Sequence, residues 1–347
     1  MPPNEEKVRS AFRAQAEWCR RLGSPFTALL CDVLADRLDR STGAGRAVLS
    51  WPGNPDAAAD SLPLRLAGAL NALVRRGEVP DLAAHYPPNP LPEAESFWRA
   101  LHTTLGERSS EIIEWLHLAP QTNEVARSAV LFAGLSYLAS LQNEPMELYE
   151  VGASAGLNLN LDRYGYRFGA VQFGDPGSSL QLSPSWTGAL PPLVPVRIAA
   201  RKGCDVSPLD ARREQDRERL LAYVWPDQAE RAERLARALE IAARYPVKVE
   251  QADAADWVER NIRPNGFPVL MHSIAFQYFP RATQERITAL MAKVATASST
   301  PLAWLRFELD PALDKQFSLR LRLGRVDRLL AIAGPHGTPI EWLVKVS

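Results

Sequence analysis

The pentapeptide Gly152-Ala153-Ser154-Ala155-Gly156 is where residue types and spacing point most directly to chemistry. It follows MELYEV, a short apolar run that reads as a buried strand stopped by Gly152. As G-x-S-x-G it is a nucleophile elbow, with Ser154 attacking from a sharp strand-to-helix turn. Asp310 or Asp314, followed by His336 in GPHG, supplies the acid and histidine in the required chain order. As E-x-G-x-S-x-G it is a ligand-binding turn. Small residues at 152, 154 and 156 let backbone approach a nucleotide-like ligand, and Glu150 at the strand end attracts a cationic group. Small residues there also satisfy the steric demands of any tight strand-to-helix turn.

The elements around the loop bear on the choice. Upstream, residues 1–144 read as helices between Pro/Gly joints. SLPLRLAGALNALVRRG stops at Gly77, and Phe97, Leu101 and Leu105 fall at i, i+4 and i+8 on one helical face. QTNEVARSAVLFAGLSYLASLQ is polar for one turn and then almost wholly apolar, which predicts a buried helix. From residue 145 strands alternate with helices. MELYEV, PVRIAARKGCD, VKVEQAD, FPVLMHSIAF and PLAWLRFEL are the strands, and Leu235, Leu239, Ala242 and then Ile287, Leu290, Met291, Val294 mark helices. This order implies βαβ units and a mostly parallel sheet. Phe317, Leu319, Leu321 and Leu323 alternate with polar residues, and LLAIA and IEWLVKV follow, so the sheet ends in antiparallel strands. The expected organisation is a helical domain over 1–144 and an α/β domain over 145–347.

An elbow serine normally follows several strands, whereas everything upstream of Ser154 is helical. No HGG-type segment supplies oxyanion donors. A dinucleotide fingerprint fails as well, with Ser154 and Leu157 at the second and third glycine positions. The ligand-turn reading instead finds an acid at each successive strand end: Glu150, then Asp205 in GCDVSPLD, then Asp253 in EQADAADW. Asp205 suits ribose hydroxyls and Asp253 an adenine amino group, along the edge where open parallel sheets bind ligands. Each is also a residue type that caps helices.

From Leu148 onward the chain resembles class I S-adenosylmethionine-dependent methyltransferases. More narrowly, PQTNEVARSA, YEVGASAGLNLNLDRYGY, GCDVSPLD, WLRFE and GPHG resemble a bacterial family carrying a domain-of-unknown-function label, with a methyltransferase-like C-terminal half. The resemblance implies a Rossmann-like class I methyltransferase sheet preceded by an all-helical N-terminal lid or substrate domain. It implies S-adenosylmethionine contacts at Glu150, Gly152, Ser154, Gly156, Asp205 and Asp253. The chain departs from the commonest pattern at Ser154, where glycine is usual, and by a turn-rich insertion at about residues 168–195.

Methyl transfer is an in-line displacement that depends chiefly on alignment. VLMHSIAFQYFP lacks the N/D-P-P-Y/F signature of enzymes that methylate nucleic-acid or amide nitrogens, which points to a small-molecule acceptor. His272 at the fourth strand end is the candidate base, with Tyr278 nearby; a hydrogen-bonded structural histidine is the alternative. Arg306 and Glu308 share a face of the fifth strand, either orienting substrate or forming an ion pair with each other. Asn123, Glu124 and Arg127, at the expected start of the buried helix, are candidates for the substrate side; Thr122 or Asn123 as a helix cap is the alternative. A non-catalytic protein that keeps the cofactor fold is the second functional expectation, and the Ser154 hydrolase the third.

Composition sets the outer limits. Forty basic and forty acidic residues cancel, so no excess of cations argues for a nucleic-acid partner. Cys19, Cys31 and Cys204 are scattered and read as packed thiols, and the five histidines show no metal-ligand spacing. MPPNEEKVRS has no signal-like apolar segment and no run is long enough to span a bilayer, so the expected location is the cytoplasm.

Overall fold

The computed structural model describes residues 3–262, 266–297 and 302–344. They form two compact units, one of residues 1–122 and 215–233, the other of residues 123–214 and 234–347.

The first unit is helical. Its main helices are Pro3–Arg21, Pro25–Arg37, Gly43–Leu49, Leu62–Arg75, Ala94–Glu107 and Ser109–Leu116, and no strand occurs among its described residues. Phe97, Leu101 and Leu105 are fully buried, and they join Phe12, Leu34 and Leu66 in one core. Thr42 caps Gly43–Leu49 by accepting from the Gly45 amide at 3.0 Å. Residues 215–233 are pinned by polar groups. Buried Asn71 donates to the carbonyls of Ala222 (3.0 Å) and Val224 (3.1 Å), and Asp227 accepts from the Phe26 amide (2.8 Å). The two most deeply buried thiols here, Cys19 and Cys31, are both reduced and enclosed in the core.

The second unit is built on one large, mostly parallel sheet. Its strands are β1 (Met146–Val151), β2 (Ile198–Asp205), β3 (Val249–Gln251), β4 (Phe267–Ser273), β5 (Ala303–Asp310), β6 (Gln316–Leu323), β7 (Val326–Ala333) and β8 (Ile340–Trp342). Across the sheet the order is β3-β2-β1-β4-β5-β6-β7-β8, with the short strand Trp186–Gly188 at the outer edge. The pairs among β1 to β5 are parallel; β5-β6, β6-β7 and β7-β8 are antiparallel. The chain moves outward from β1 through β3, then returns to the other side of β1 with β4. Strand order therefore reverses between β1 and β4, the kind of position at which open parallel sheets generally bind ligands beyond their carboxyl ends.

Both faces of the parallel part are covered, which is why its strands read as continuous apolar runs. Tyr149, Val151, Leu270 and Trp304 pack with Ala255, Trp257 and Val258 of the helix Ala254–Asn261 and with Ile287 and Met291 of Arg281–Ala297. The helix Arg127–Leu141 lies on the opposite face. It is buried along most of its length, and a Cβ added at Gly134 would stand 2.7 Å from Leu305 and 3.0 Å from Leu319.

Three local expectations differ from the structure. The segment after the glycine loop is a 3₁₀ turn, Leu157–Arg163, with a kink at Asn160, rather than an α-helix. Its asparagines bond outward instead of propagating a helix, and the chain turns back at Tyr164 into a strand. The insertion carries a small sheet of Gly165–Phe168, Val171–Gly174 and Gln181–Leu182. The buried helix begins at Arg127, so Asn123 and Glu124 lie before it, and its N-cap residue, Ala126, makes no side-chain cap bond. No helix among the described residues is long and apolar enough to cross a membrane.

Candidate functional site

The glycine loop leaves β1 through alternating left-handed residues: Gly152 (φ 67°), Ser154 (φ 53°) and Gly156 (φ 69°). A side chain at Gly152 would place its Cβ 2.5 Å from that of Ala275, so the loop following β4 presses directly on this turn. Ser154 bears the strain of a left-handed residue with a side chain, about 1 kcal/mol. Two side chains hold the turn in place. Asp205 Oδ2 accepts from the Ser154 amide at 2.9 Å, and Asn123 Oδ1 accepts from the Leu157 amide at 3.1 Å. Asp205 Oδ1 takes the Ser207 amide, also at 2.9 Å. Asp205 and Asn123 thus clamp the loop from opposite ends.

Beneath the turn lies Glu150, 1% exposed, whose Oε2 has no hydrogen-bond partner. The Ser128 hydroxyl donates to Asn158 Oδ1 at 2.7 Å, and Asn158 in turn hydrogen-bonds Glu150. That bond fixes the orientation of the Asn158 amide. Burial pushes the Glu150 carboxyl up to about 8; the Asn158 bond and the Arg127 charge oppose the rise, and the Asp205 charge adds to it. Burial therefore favours the protonated carboxyl of Glu150 in the free protein. A cation brought to its unpartnered oxygen would reverse that balance.

Arg127 ties this centre to two other segments. Its Nη1 donates to the Ser273 carbonyl at the end of β4 (3.1 Å), and its Nε to the Pro335 carbonyl (2.9 Å). The GPHG turn is thereby drawn onto the helix start, where Gly337 (φ 75°) comes so close to the Ala126 carbonyl that a Cβ would stand 2.4 Å from it. Glu124 is buried and accepts from the Ala126 amide at 3.1 Å; its Oε2 lies 3.4 Å from His336 Nδ1. Asn123 thus meets the glycine turn and Arg127 acts on Glu150 through its charge, whereas Glu124 faces the Ala126 amide and His336.

The expected base does not face this centre. Trp304 Nε1 can only donate, so the 3.0 Å bond makes His272 Nε2 the acceptor. The ring proton then sits on Nδ1 and goes to Glu308 Oε1 at 2.7 Å. That same oxygen accepts from the Ala275 and Phe276 amides at 3.0 and 3.1 Å. With both nitrogens engaged and 1% exposure, His272 has no lone pair for a substrate; it fixes the β4 loop that packs against Gly152. Tyr278 is 69% exposed. Arg306 does not pair with Glu308 but with Asp327 at 2.6 Å, lying also over the Trp304 ring. Asp253 caps the helix Ala254–Asn261 through Oδ1 and takes the Thr283 hydroxyl on Oδ2.

No triad assembles around Ser154, because its buried Oγ has no hydrogen-bond partner. Asp310 is committed to Arg320, Ser318 and the Ala312 amide. Ser154→Gly is expected to change the unfolding free energy by less than about 1 kcal/mol, relief of strain being offset by added chain entropy. Denaturant titration measures this. Labelling of wild-type Ser154 by a fluorophosphonate would instead establish a nucleophile. Among the described residues no cluster of His, Cys, Asp or Glu is arranged to hold a metal ion.

The roles of Ser128 and Asn158 are not legible in the sequence, since polar residues in apolar stretches carry no local signal of their partners. A separate cleft of about 440 Å³ is lined by Phe132, Asp162, Phe173, Asp175 and Val194, none of them a predicted site residue.

Comparison with known proteins finds a match to the family described as "Uncharacterized protein conserved in bacteria (DUF2332)", over residues 9–342. No curated protein and no solved structure matches the chain.

Proposed function

The chain belongs to this bacterial family, and from that premise we propose that its second unit is a Rossmann-like, class I methyltransferase-type domain that binds S-adenosylmethionine and transfers its methyl group to a small molecule. The observation that carries the proposal is Glu150: a fully buried carboxyl with an unpartnered oxygen, at the foot of a left-handed glycine turn, where strand order reverses. Open α/β sheets bind ligands at such a reversal.

The residues fit the cofactor. Glu150 would take the ammonium group of the methionine moiety, directly or through water. Asp205 would meet the ribose hydroxyls. Each of its oxygens accepts one backbone amide and keeps a second acceptor site. Asp253 retains less capacity, one acceptor site on Oδ2, for the adenine amino group. Gly152 and Gly156 let backbone approach the ligand. When bound, the cofactor supplies an activated methyl group; the chain's own residues hold and align it and exclude water.

One observation favours the second reading, a non-catalytic binding protein: His272, the expected base, is fully committed to Trp304 and Glu308. The methyltransferase reading requires cofactor binding and turnover; the non-catalytic reading requires only that turnover be absent. Calorimetric titration with S-adenosylhomocysteine should give saturable heat with wild-type protein and a large loss of affinity in Asp205→Ala. Absence of heat from correctly folded wild type would remove the methyltransferase reading.

A further inference from the structure

We propose that the cleft beside the turn-rich insertion is a second binding site, selective for a small amine whose ammonium group is joined to an apolar body. The proposal stands apart from the cofactor reading, since none of the residues lining the cleft takes part in holding the glycine turn or Glu150.

Its size and place come first. At about 440 Å³ the cleft falls within the range of small-molecule sites. The segment 194–196 that lines it leads into Ile198 of β2, which pairs with Met146 at the start of β1. Glu150 and Asp205 stand at the opposite, carboxyl ends of those two strands. The apolar part of the lining is fixed in advance. Phe132 stacks on Tyr166 with centroids 4.4 Å apart, Phe173 packs on Phe168 at 5.0 Å, and Tyr166 and Phe168 adjoin at 5.8 Å. Rings locked against one another need little reordering when a ligand arrives. Leu193 adds an apolar side chain that is 68% exposed.

The polar side chains of the lining decide the class of ligand, because they offer acceptors and no free donor. Gln172 has both amide hydrogens engaged, by the Phe173 carbonyl and Gln181 Oε1 at 3.2 Å each, and keeps its oxygen. Asp162 accepts from Arg201 through both oxygens, at 2.7 and 2.9 Å, so its charge is matched. Asp175 differs: its Oδ1 takes the Gly177 amide at 2.8 Å, and among the described residues no cation pairs with it. Asp175 is also held in place. Its amide donates to the Tyr164 carbonyl at 3.0 Å, and Gly174 (φ 67°) passes so close to that carbonyl that a side chain would collide with it. One unmatched carboxylate among acceptors and apolar walls complements a single ammonium, which brings three donors and one positive charge. An anion of the same size would meet Asp175 with no cation to offset it. Read alone, FGDPGSSLQLSPSWTGALPP is a string of turns, and nothing in it announces the rings it meets.

Methyl spectra of the full chain, labelled at valine, test the site with 2-phenylethylamine as probe; Val194→Ile and Val196→Ile identify the signals. The amine should shift Val194 and Val196 saturably at neutral pH. Asp175→Asn, which keeps an oxygen for the Gly177 amide, should weaken that binding by about fivefold or more. The uncharged 2-phenylethanol should bind more weakly than the amine by a similar factor, and phenylacetate should leave both signals still. Folded wild type whose two valines do not shift with the amine overturns the proposal. So does equal affinity in Asp175→Asn, or equal binding of the alcohol and the amine. Should the asparagine variant fail to fold, the comparison of amine with alcohol on wild type decides alone.

Discussion

Replacing Glu150 with glutamine is expected to make the protein more stable above neutral pH while removing its affinity for a cationic ligand. The carboxyl is buried and held up to about 8, against 4.5 for the ordinary group. The folded chain therefore binds this proton more tightly than the unfolded chain. Its contribution is fully present below the unfolded value and is lost as pH rises through the folded one. By about pH 9 the loss is on the order of 5 kcal/mol. Glutamine cannot ionise and keeps the shape, so the variant should be spared this decline. Urea unfolding across pH measures the effect: the two proteins should agree near the acid end of that range and diverge steadily towards alkaline pH. Parallel stability curves would show that Glu150 is not the desolvated acid described. A residue kept at such a cost in stability has the profile of a ligand contact.

The second large effect concerns His272. His272→Ala should destabilise the protein by about 3–5 kcal/mol, because it strands two buried partners at once. The Trp304 indole loses its acceptor, and Glu308 loses the neutral donor that shares its Oε1 with two loop amides. The ring's stacking on Phe276, with centroids 4.8 Å apart, goes as well. Because the same loop places Ala275 against Gly152, S-adenosylhomocysteine affinity should fall together with stability. An alanine variant with wild-type unfolding free energy and binding, but without turnover, would instead restore His272 to the role of base.

What could be read from the sequence follows the range of the physics. MELYEV, FPVLMHS and AWLRFEL are visible as strands because burial on both faces makes them continuous apolar runs. Phe97, Leu101 and Leu105 declare a helix face because their spacing matches the helical period. The glycine loop is legible because left-handed backbone demands small residues within a few positions. Pairings across the sheet are not. In the β4–β5 register His272 stands opposite Arg306, so Trp304 and Glu308 are its diagonal neighbours on the same face. A register one residue different would have sent both to the other face, and nothing in either strand alone sets that alignment. The same holds for Arg306, whose partner Asp327 arrives on β7. Glu150 was legible as an acid at a strand end, but its isolation was not, because Ser128 and Asn158 come from separate segments. The attachment of residues 215–233 to the first unit was equally hidden, depending on Asn71 bonding Ala222, 151 positions away, and on Asp227 bonding Phe26, 201 positions away.

The most direct test is the proton count on ligand binding. S-adenosylhomocysteine titrated at neutral pH in two buffers of different ionisation enthalpy reports protons released along with heat. A cation settling against Glu150 should ionise it, so wild-type protein should release close to one proton per ligand bound, and Glu150→Gln should release none and bind far more weakly. Tight binding without proton release, equal in both proteins, would contradict the placement of the ligand's cationic group on Glu150.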